Sequence, residues 1–456
     1  MENDNNYCAD LYNTSLRFRL LRQHHYPVDP DVFNKFKDRN GRFMEGMNKD
    51  VKGLLSLYEA SHLSVNGEDV LEEALKYTTT CLKSIESHFD IILAKQVQHA
   101  LAIPLHWRMP RIEARNFIDV YDRDDKKHAV LLQLAKLDFN LVQSIHQRNL
   151  SDLSWWWSDL GFKEKLTFSR DRLVENFIWA MGIAHEPQYS KCREGLTKFI
   201  CILTAIDDVY DIYGSLDELE LFTEAVCRWD ISATEGLPPY MKTSYLAMLN
   251  LVNIISNNIK RDHGIDVSRH IVEEWKNLCK SYLKEARWFY NGYTPTLEEY
   301  LGNGWTSVGG PAAMVHAYFL HAENISVESL HCLKHGSELM YWASIITRLV
   351  DDLGNAKDEI IRGDVPKSIQ CYMKQTGVSE EQARQHVKGL VRSYWKKLNE
   401  ESVKSILPKS MIEMIINMVR TAQCIFEHGD GIGTSHGTTK DTAISLFVEP
   451  ISIKRT

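Results

Sequence analysis

Apolar residues recur at three- and four-residue spacing along most of the chain, the period of helices with one buried face. KDVKGLLSLYEASHL, AVLLQLAKLDFNLVQSIHQ and SMIEMIINMVRTAQCIF all carry it. No run of alternating β-branched residues reads as a strand, and no Gly-rich phosphate loop of the GxGxxG or GxxxxGKS kind is present. Polar breaks punctuate the helices: VNGED at 65–69, YTPT at 293–296 and GDVPKS at 363–368. The pattern predicts an all-α fold with no solenoid-length repeat. Two segments interrupt it in their own way. GNGWTSVGGPAAM, residues 302–314, breaks a helix at Gly309, Gly310 and Pro311, a device that exposes backbone carbonyls. EHGDGIGTSHGTTKD, residues 427–441, is Gly-rich between two apolar helices, a makeup that suits a mobile lid and a plain surface loop alike.

At 456 residues the chain exceeds what one core organises and suggests two domains. The expected boundary is the charged stretch DRDDKKH, residues 122–128, which separates an N-terminal helical domain, 1–125, from a C-terminal one, 126–456. Hydrophobic content of 44% with 25% charged residues fits a soluble globular chain. No apolar run approaches the roughly 18–20 residues that span a bilayer. A net charge of −8 offers no basic surface for nucleic acid, and it makes local arginine clusters stand out. Nine cysteines without a CxxC pair indicate neither a zinc site nor a disulfide framework, the pattern of a reducing compartment. The stretch MENDNNYCADLYNTSLRFRL is acidic and polar without an apolar h-region. It reads without a secretory or transit peptide, so the chain as written is expected in the cytoplasm.

Two acidic clusters carry the candidate chemistry. Asp207, Asp208 and Asp211 end the apolar segment FICILTAI, and Asp207 and Asp211 share a helix face. Asp351, Asp352, Asn355 and Glu359 follow the apolar segment LMYWASIITRLV. Asp351, Asn355 and Glu359, spaced by four, form one oxygen stripe. Carboxylates at the end of a buried helix are costly unless they pair with cations or bind metal. Two facing stripes of oxygen would suit hard divalent cations, Mg²⁺ above all.

Basic residues accompany the acids. Arg170 and Arg172 flank Asp171 in FSRDRLVENFIWAMG; Arg348 lies one turn before Asp351; Lys367 follows in GDVPKS. Arginine suits bidentate contact with phosphate oxygens, and lysine acts as a point charge. Lys357 and Arg362 read better as salt-bridge partners of neighbouring acids. Acids, divalent ions and bases together describe a diphosphate site, where bridging metal reverses carboxylate–phosphate repulsion and stabilises the leaving group. Departure of diphosphate from an allylic carbon leaves a carbocation and needs no side-chain nucleophile. Aromatic faces stabilise such a cation by about 0.5–2 kcal/mol per ring. Trp179, seven residues past Arg172 on a similar face, is one candidate, and Trp305, Tyr341 and Trp342 are others, against the plain alternative of core packing. Trp155, Trp156 and Trp157 are consecutive and read as packing.

With these residues in place, the chain resembles the plant terpene synthases along nearly its whole length. The aspartate-rich motif stands as Asp207-Asp208-Val209-Tyr210-Asp211, the second metal motif, (N/D)Dxx(S/T)xxxE, on Asp351, Asn355 and Glu359, and the Arg-Asp-Arg motif on Arg170 to Arg172. LRFRLLRQHHY, LLSLYEASHL, AKLDFNLVQ, YGSLDELELFTEA and HGDGIG also read like family segments. HWRMPRIEARNFIDVY is similar to the angiosperm branch rich in monoterpene synthases. The resemblance implies a lyase using about three Mg²⁺ or Mn²⁺ ions per site on an acyclic prenyl diphosphate. It also implies an all-α fold with a catalytic C-terminal bundle and a helical N-terminal domain without an active site. Asp207, Asp211, Asp351, Asn355 and Glu359 would bind metal. Arg170, Arg172, Arg348 and Lys367 would hold the diphosphate, which Asp207, Asp211 and Asp351 reach through metal. Ile200, Trp179, Trp305 and Tyr341 would line the pocket.

Departures from the family pattern set further expectations. The chain starts inside the family's N-terminal domain, without a plastid transit peptide or the twin-arginine and tryptophan segment of cyclic monoterpene synthases, which bears on closure and cyclisation. A mature or shortened form would belong in the plastid. Asn355 replaces the usual Ser or Thr, which predicts weaker metal binding, and Phe426 replaces a Tyr found in many relatives. Ile200, seven before Asp207, disfavours water capture at that point. The leading expectation is a class I synthase, monomer or homodimer, converting geranyl diphosphate to a monoterpene hydrocarbon or alcohol. Alternatives are a sesquiterpene synthase on farnesyl diphosphate and a catalytically silent relative that acts only as a binding protein. A chain-elongating prenyl transferase typically carries DDxxD in both clusters; here the second has Asp/Asn/Glu spacing.

Overall fold

The structure, a computed structural model, describes residues 10–84, 91–321, 325, 330, 333, 337–362, 365–427, 429 and 438–453; for 91, 356–362 and 438–439 it describes the backbone alone. Helices account for nearly all regular structure, and among the described residues one isolated bridge, Lys37 with Phe43, is the sole β pairing. No helix among them is long and apolar enough to cross a membrane. The chain divides into two compact units, Met1–Arg108 with Arg392–Ser405, and Met109–Val391 with Ile406–Thr456. The charged stretch 122–128 lies within the second unit.

The first unit contains α1 (Leu11–Gln23), α2 (Val51–Ser61), α3 (Asp69–Lys83) and α4 (Ile91–Ala102). Asp10 and Asp50 cap α1 and α2 by accepting from Tyr12 N and Gly53 N, groups the first turn leaves unpaired. Phe18, Phe33, Leu57 and Leu71 form a core, with the two phenyl rings edge-to-face at 5.0 Å. Residues 392–405 complete this unit. Trp395 stacks on Trp107 at 5.2 Å, and Asn399 Nδ2 donates to the carbonyls of His62 and Ser64.

The second unit holds α5 (Pro110–Tyr121), α6 (Ala129–Leu160), α7 (Leu173–Ile183), α8 (Ser190–Asp208), α9 (Leu216–Arg228), α10 (Pro239–His263), α11 (Ser268–Tyr290), α12 (Leu297–Ser307), α13 (Gly310–His321), α14 (Glu338–Arg362), α15 (Ser368–Thr376), α16 (Glu380–Lys404, its last turns in the first unit), α17 (Lys409–Ile425) and α18 (Thr438–Ala443). α8 is central: it packs on α6, α7, α10 and α13, and its sequence is buried on nearly every side. α14 packs on α12, α13, α15 and α17, and α17 closes the circuit against α7. This ring of apolar faces surrounds one space instead of filling it. The long α6 departs from simple amphipathicity. Leu132, Phe139, Val142 and Leu153 are buried, while Val130, Leu134, Leu137 and Leu141 are exposed. Trp155 is exposed too, whereas Trp157 donates from Nε1 to Asp171 and meets the Phe162 ring edge-to-face.

Candidate active site

A cavity of about 350 Å³ lies inside the second unit, walled by α7, α8, α14, the α12–α13 junction and the end of α17. Acidic and basic side chains gather on part of its wall, and apolar ones form the remainder. Among the described residues three carboxylates, Asp207, Asp211 and Asp351, and three bases, Arg170, Arg348 and Lys367, line it. These six charges cancel. A diphosphate, with roughly two to three negative charges near neutral pH, therefore needs additional positive charge to reside there.

The first acidic wall is the end of α8. The helix runs directly into a widened π turn, Val209–Tyr213, which carries Asp211, a local geometry frequent at functional sites. Asp207 accepts from Arg170 at 3.0 Å. Asp208 points the other way and is fully buried. Its Oδ2 accepts from Arg170 N at 2.9 Å and from Ser169 Oγ at 3.0 Å, and its Oδ1 lies 2.7 Å from Arg170 Nε. Burial pushes the Asp208 carboxyl up, opposed mainly by the Arg170 charge. Tyr282 of α11 also lines the cavity. Burial, reinforced by the charges of Asp207 and Asp211, raises its phenol well above the ordinary value, so it stays protonated.

The second wall is the last half of α14. Arg348 pairs with Asp351 and, through Nε at 2.8 Å, with Asp352. Asp352 is fully buried and also accepts from Tyr300 hydroxyl at 2.9 Å and Ser368 N at 3.1 Å. The two walls repeat one device. The first aspartate of each pair faces the cavity, while the second is buried and accepts a backbone N–H from the segment that bears a cavity-lining base, Arg170 or Lys367.

Asn355 Nδ2 donates to Asp351 Oδ1 at 2.7 Å, which fixes the amide orientation. Its Oδ1 is buried without a hydrogen-bond partner, although Asn355 lines the cavity. An orphaned acceptor beside a carboxylate fits a hard cation, since oxygen donors are what such ions take. Among the described residues no three His, Cys, Asp or Glu side chains converge to hold an ion alone. The donor set therefore suits cations whose remaining positions go to ligand oxygens or water. Gly354, between these donors, lets the chain after α17 approach: a Cβ there would stand 2.8 Å from Phe426 Cβ and 3.1 Å from its carbonyl.

The apolar part is built from Trp179, Ile183, Phe199, Ile200, Leu203, Ala313, Met418 and Phe426, with the Trp179 and Phe426 rings 6.1 Å apart. Here α12 and α13 are separated by Val308 and Gly309. Gly309 has φ +77°, and a Cβ on it would meet Leu203 at 2.5 Å, so only glycine fits. Pro311 has no N–H to offer the Ser307 carbonyl four residues back, and Ser307 to Gly310 all line the cavity.

Of the residues singled out from sequence, Arg170, Trp179, Ile200, Asp207, Asp211, Arg348, Asp351, Asn355 and Lys367 meet around this cavity. Arg172 does not line it; it precedes α7 and donates from Nη1 to Asp171 O at 3.2 Å. Trp305 and Tyr341 do not line it either. They pack edge-to-face on each other at 5.3 Å, with Tyr341 two turns before Arg348 on α14. Trp342 donates to Glu338 at the exposed start of that helix. Glu359 continues the α14 register, but its side chain lies outside the described residues, as do those of Lys357 and Arg362 and most of 427–441. Sequence reasoning passed over Asn176, Thr204, Tyr282, Ser307 and Thr347, which also line the cavity. Asn176, Thr204 and Thr347 were within reach of a spacing argument, one turn before Trp179, Asp207 and Asp351.

Comparison with known proteins agrees with this geometry. Residues 158–397 match the terpene synthase family metal binding domain, and residues 1–101 match the terpene synthase N-terminal domain. The chain is 60% identical over 442 residues to trans-ocimene synthase, chloroplastic, of Litsea cubeba, covering 97% of this chain and 76% of that protein. Its fold matches limonene synthase with 2-fluorolinalyl diphosphate at a TM-score of 0.95, with 41% identity over 97% of this chain and 82% of the other. It also matches grey poplar isoprene synthase in complex with three Mg²⁺ ions and dimethylallyl-S-thiolodiphosphate at 0.93, with 43% identity over 97% and 85%. The chain belongs to the terpene synthase family.

Proposed function

We propose that this protein is a class I terpene synthase that ionises geranyl diphosphate with Mg²⁺ or Mn²⁺ and releases a monoterpene and diphosphate. The observation that carries the reading is the joining, in one cavity, of two oxygen-bearing walls and three bases to an otherwise largely apolar space. Asp207 and Asp211 on one side, and Asp351, Asn355 and Glu359 on the other, would hold the divalent cations. When bound, these cations supply electrostatic neutralisation of the departing diphosphate.

The protein's own residues do the rest. Arg170, Arg348 and Lys367 bind and orient the diphosphate oxygens. Asp208 and Asp352 fix the segments that present Arg170 and Lys367. Trp179, Phe199 and Phe426 line the space for the prenyl chain, where an aromatic face stabilises a carbocation by about 0.5–2 kcal/mol per ring. Ile183, Ile200, Leu203 and Met418 keep bulk water from that cation. The reading assigns the chemistry to the C-terminal region, 126–456, and no active site to 1–125. The similarity to trans-ocimene synthase and to limonene synthase supports a ten-carbon over a fifteen-carbon chain. The chloroplastic designation of the ocimene synthase relative supports a plastid setting.

Incubation with geranyl or farnesyl diphosphate and Mg²⁺, with diphosphate release and volatile products both measured, tests the reading. Metal-dependent C10 products are expected, and Asp207→Ala is expected to cut turnover by about 10²–10³-fold or more. Equal turnover in a chelator, normal turnover of the variant, or preference for farnesyl diphosphate would contradict it.

A further inference from the structure

The apolar part of the cavity contains one buried amide that ionisation does not use. Asn176 of α7 is 2% exposed and lines the cavity beside Trp179, Ile183 and Ile200. Its partners are poor. Nδ2 lies 3.5 Å from Cys201 Sγ, a weak acceptor. Oδ1 lies 3.4 Å from Thr204 Oγ1, but Thr204 has one hydroxyl hydrogen, and Ile200 O at 2.9 Å is the better acceptor for it. Asn176 Oδ1 thus has one long bond from a hydrogen it shares with Ile200 O, a weakly satisfied state for a buried amide and one that an ordered water commonly improves.

Of the other hydroxyls on the wall, Tyr282 lies toward Asp207 and Asp211, and the two aliphatic ones are committed. Ser307 donates to Glu285 at 2.5 Å, and Thr347 to Ala343 O at 2.9 Å. Asn176 Oδ1 and Thr204 Oγ1 thus stand together as two acceptors in an apolar wall, with Thr204 also lining the cavity. A water that donates its two hydrogens to them turns its lone pairs toward the substrate.

We propose that Asn176 is a specificity-determining residue: with Thr204 it holds one water that captures the carbocation, so that part of the product leaves as an alcohol. This deepens the reading above and rests on it. In the step, a lone pair of the water forms a C–O bond to the cationic carbon. The resulting oxonium then passes a proton to the diphosphate released on ionisation. Nothing is oxidised or reduced. Hydrocarbon arises by the competing loss of a C–H proton to the same acceptor. Ile200 keeps the adjacent position apolar, so capture is confined to the Asn176 side.

The test is product analysis from geranyl diphosphate and Mg²⁺ in ¹⁸O-labelled water, with diphosphate release recorded in parallel. The wild type is expected to form ¹⁸O-labelled alcohol beside hydrocarbon. Asn176→Leu, similar in volume but without the acceptor, should lower the alcohol-to-hydrocarbon ratio about tenfold or more, and Asn176→Ser should retain most of it. Thr204→Val gives an independent arm if Asn176→Leu fails to fold, with a fall in the same ratio expected. Hydrocarbon alone from the wild type, unlabelled alcohol, or an unchanged ratio in the folded Leu or Val variant would overturn the proposal while leaving ionisation intact. Absence of diphosphate release from the wild type would defeat the reaction itself, and this proposal with it.

Discussion

The two acidic walls look alike in sequence and differ in how they are held. On α8, Asp207 is 30% exposed, Asp211 is exposed, and one arginine, Arg170, serves both Asp207 and Asp208. On α14, Asp351 is 14% exposed and already engaged by Arg348 and Asn355, while Asp352 is tied to Tyr300, Arg348 and Ser368. The first wall is open; the second is a closed network. Recruiting Asp351 to a cation exchanges one positive partner for another and releases the Arg348 guanidinium toward an anionic ligand. Recruiting Asp207 likewise exchanges Arg170 for a cation, but from a pair that solvent already screens in part. What unites the walls is the division of labour within each Asp-Asp pair. A fully buried carboxylate survives only with several donors, and each buried aspartate spends its oxygens on the segment that carries a cavity base.

Breaking that shared device should therefore hurt the two walls unequally. Asp352→Ala leaves Arg348 and the Tyr300 hydroxyl buried without this acceptor, and is expected to destabilise the folded chain by about 3–5 kcal/mol, measured by chemical denaturation. A midpoint equal to the wild type would show that the second wall is not the closed one. Asp208→Ala is expected to cost about 1–3 kcal/mol, since Arg170 keeps Asp207 and partial solvent exposure. Its clearer signature is a higher KM for the diphosphate substrate, because Arg170 loses its anchor; an unchanged KM would remove Asp208 from that role. Tyr300→Phe deletes one hydrogen bond to Asp352 and should cost about 1 kcal/mol with kcat little altered. A loss as large as that of Asp352→Ala would instead place the strength of the second wall in Tyr300.

The helical architecture was readable because three- and four-residue apolar spacing is a local property. KDVKGLLSLYEASHL and SMIEMIINMVRTAQCIF became α2 and α17. The site was readable as far as i, i+4 spacing reaches: Asp207 with Asp211 and Asp351 with Asn355 do share cavity-facing stripes. The same argument could not separate Asp207 from Asp208 by task, because partners for Asp208 come from Ser169 and Arg170, nearly forty residues away. Trp305 and Tyr341 illustrate another limit. Being aromatic and near a motif in sequence does not fix height along a helix, and these two rings pack on each other instead of lining the cavity. Tyr282 went unseen because nothing local distinguishes it; the cavity defines it. α6 carries apolar residues on two faces, so its periodicity identified a helix without saying which face would be covered.

In the proposed function the two walls share one metal–diphosphate site. Anomalous diffraction from crystals of the protein grown with Mn²⁺ and inorganic diphosphate tests this most directly. Manganese peaks are expected beside both Asp207–Asp211 and Asp351–Asn355, bridged by one diphosphate that Arg170, Arg348 and Lys367 also contact. Manganese at one wall only, or diphosphate bound elsewhere on the chain, would contradict it.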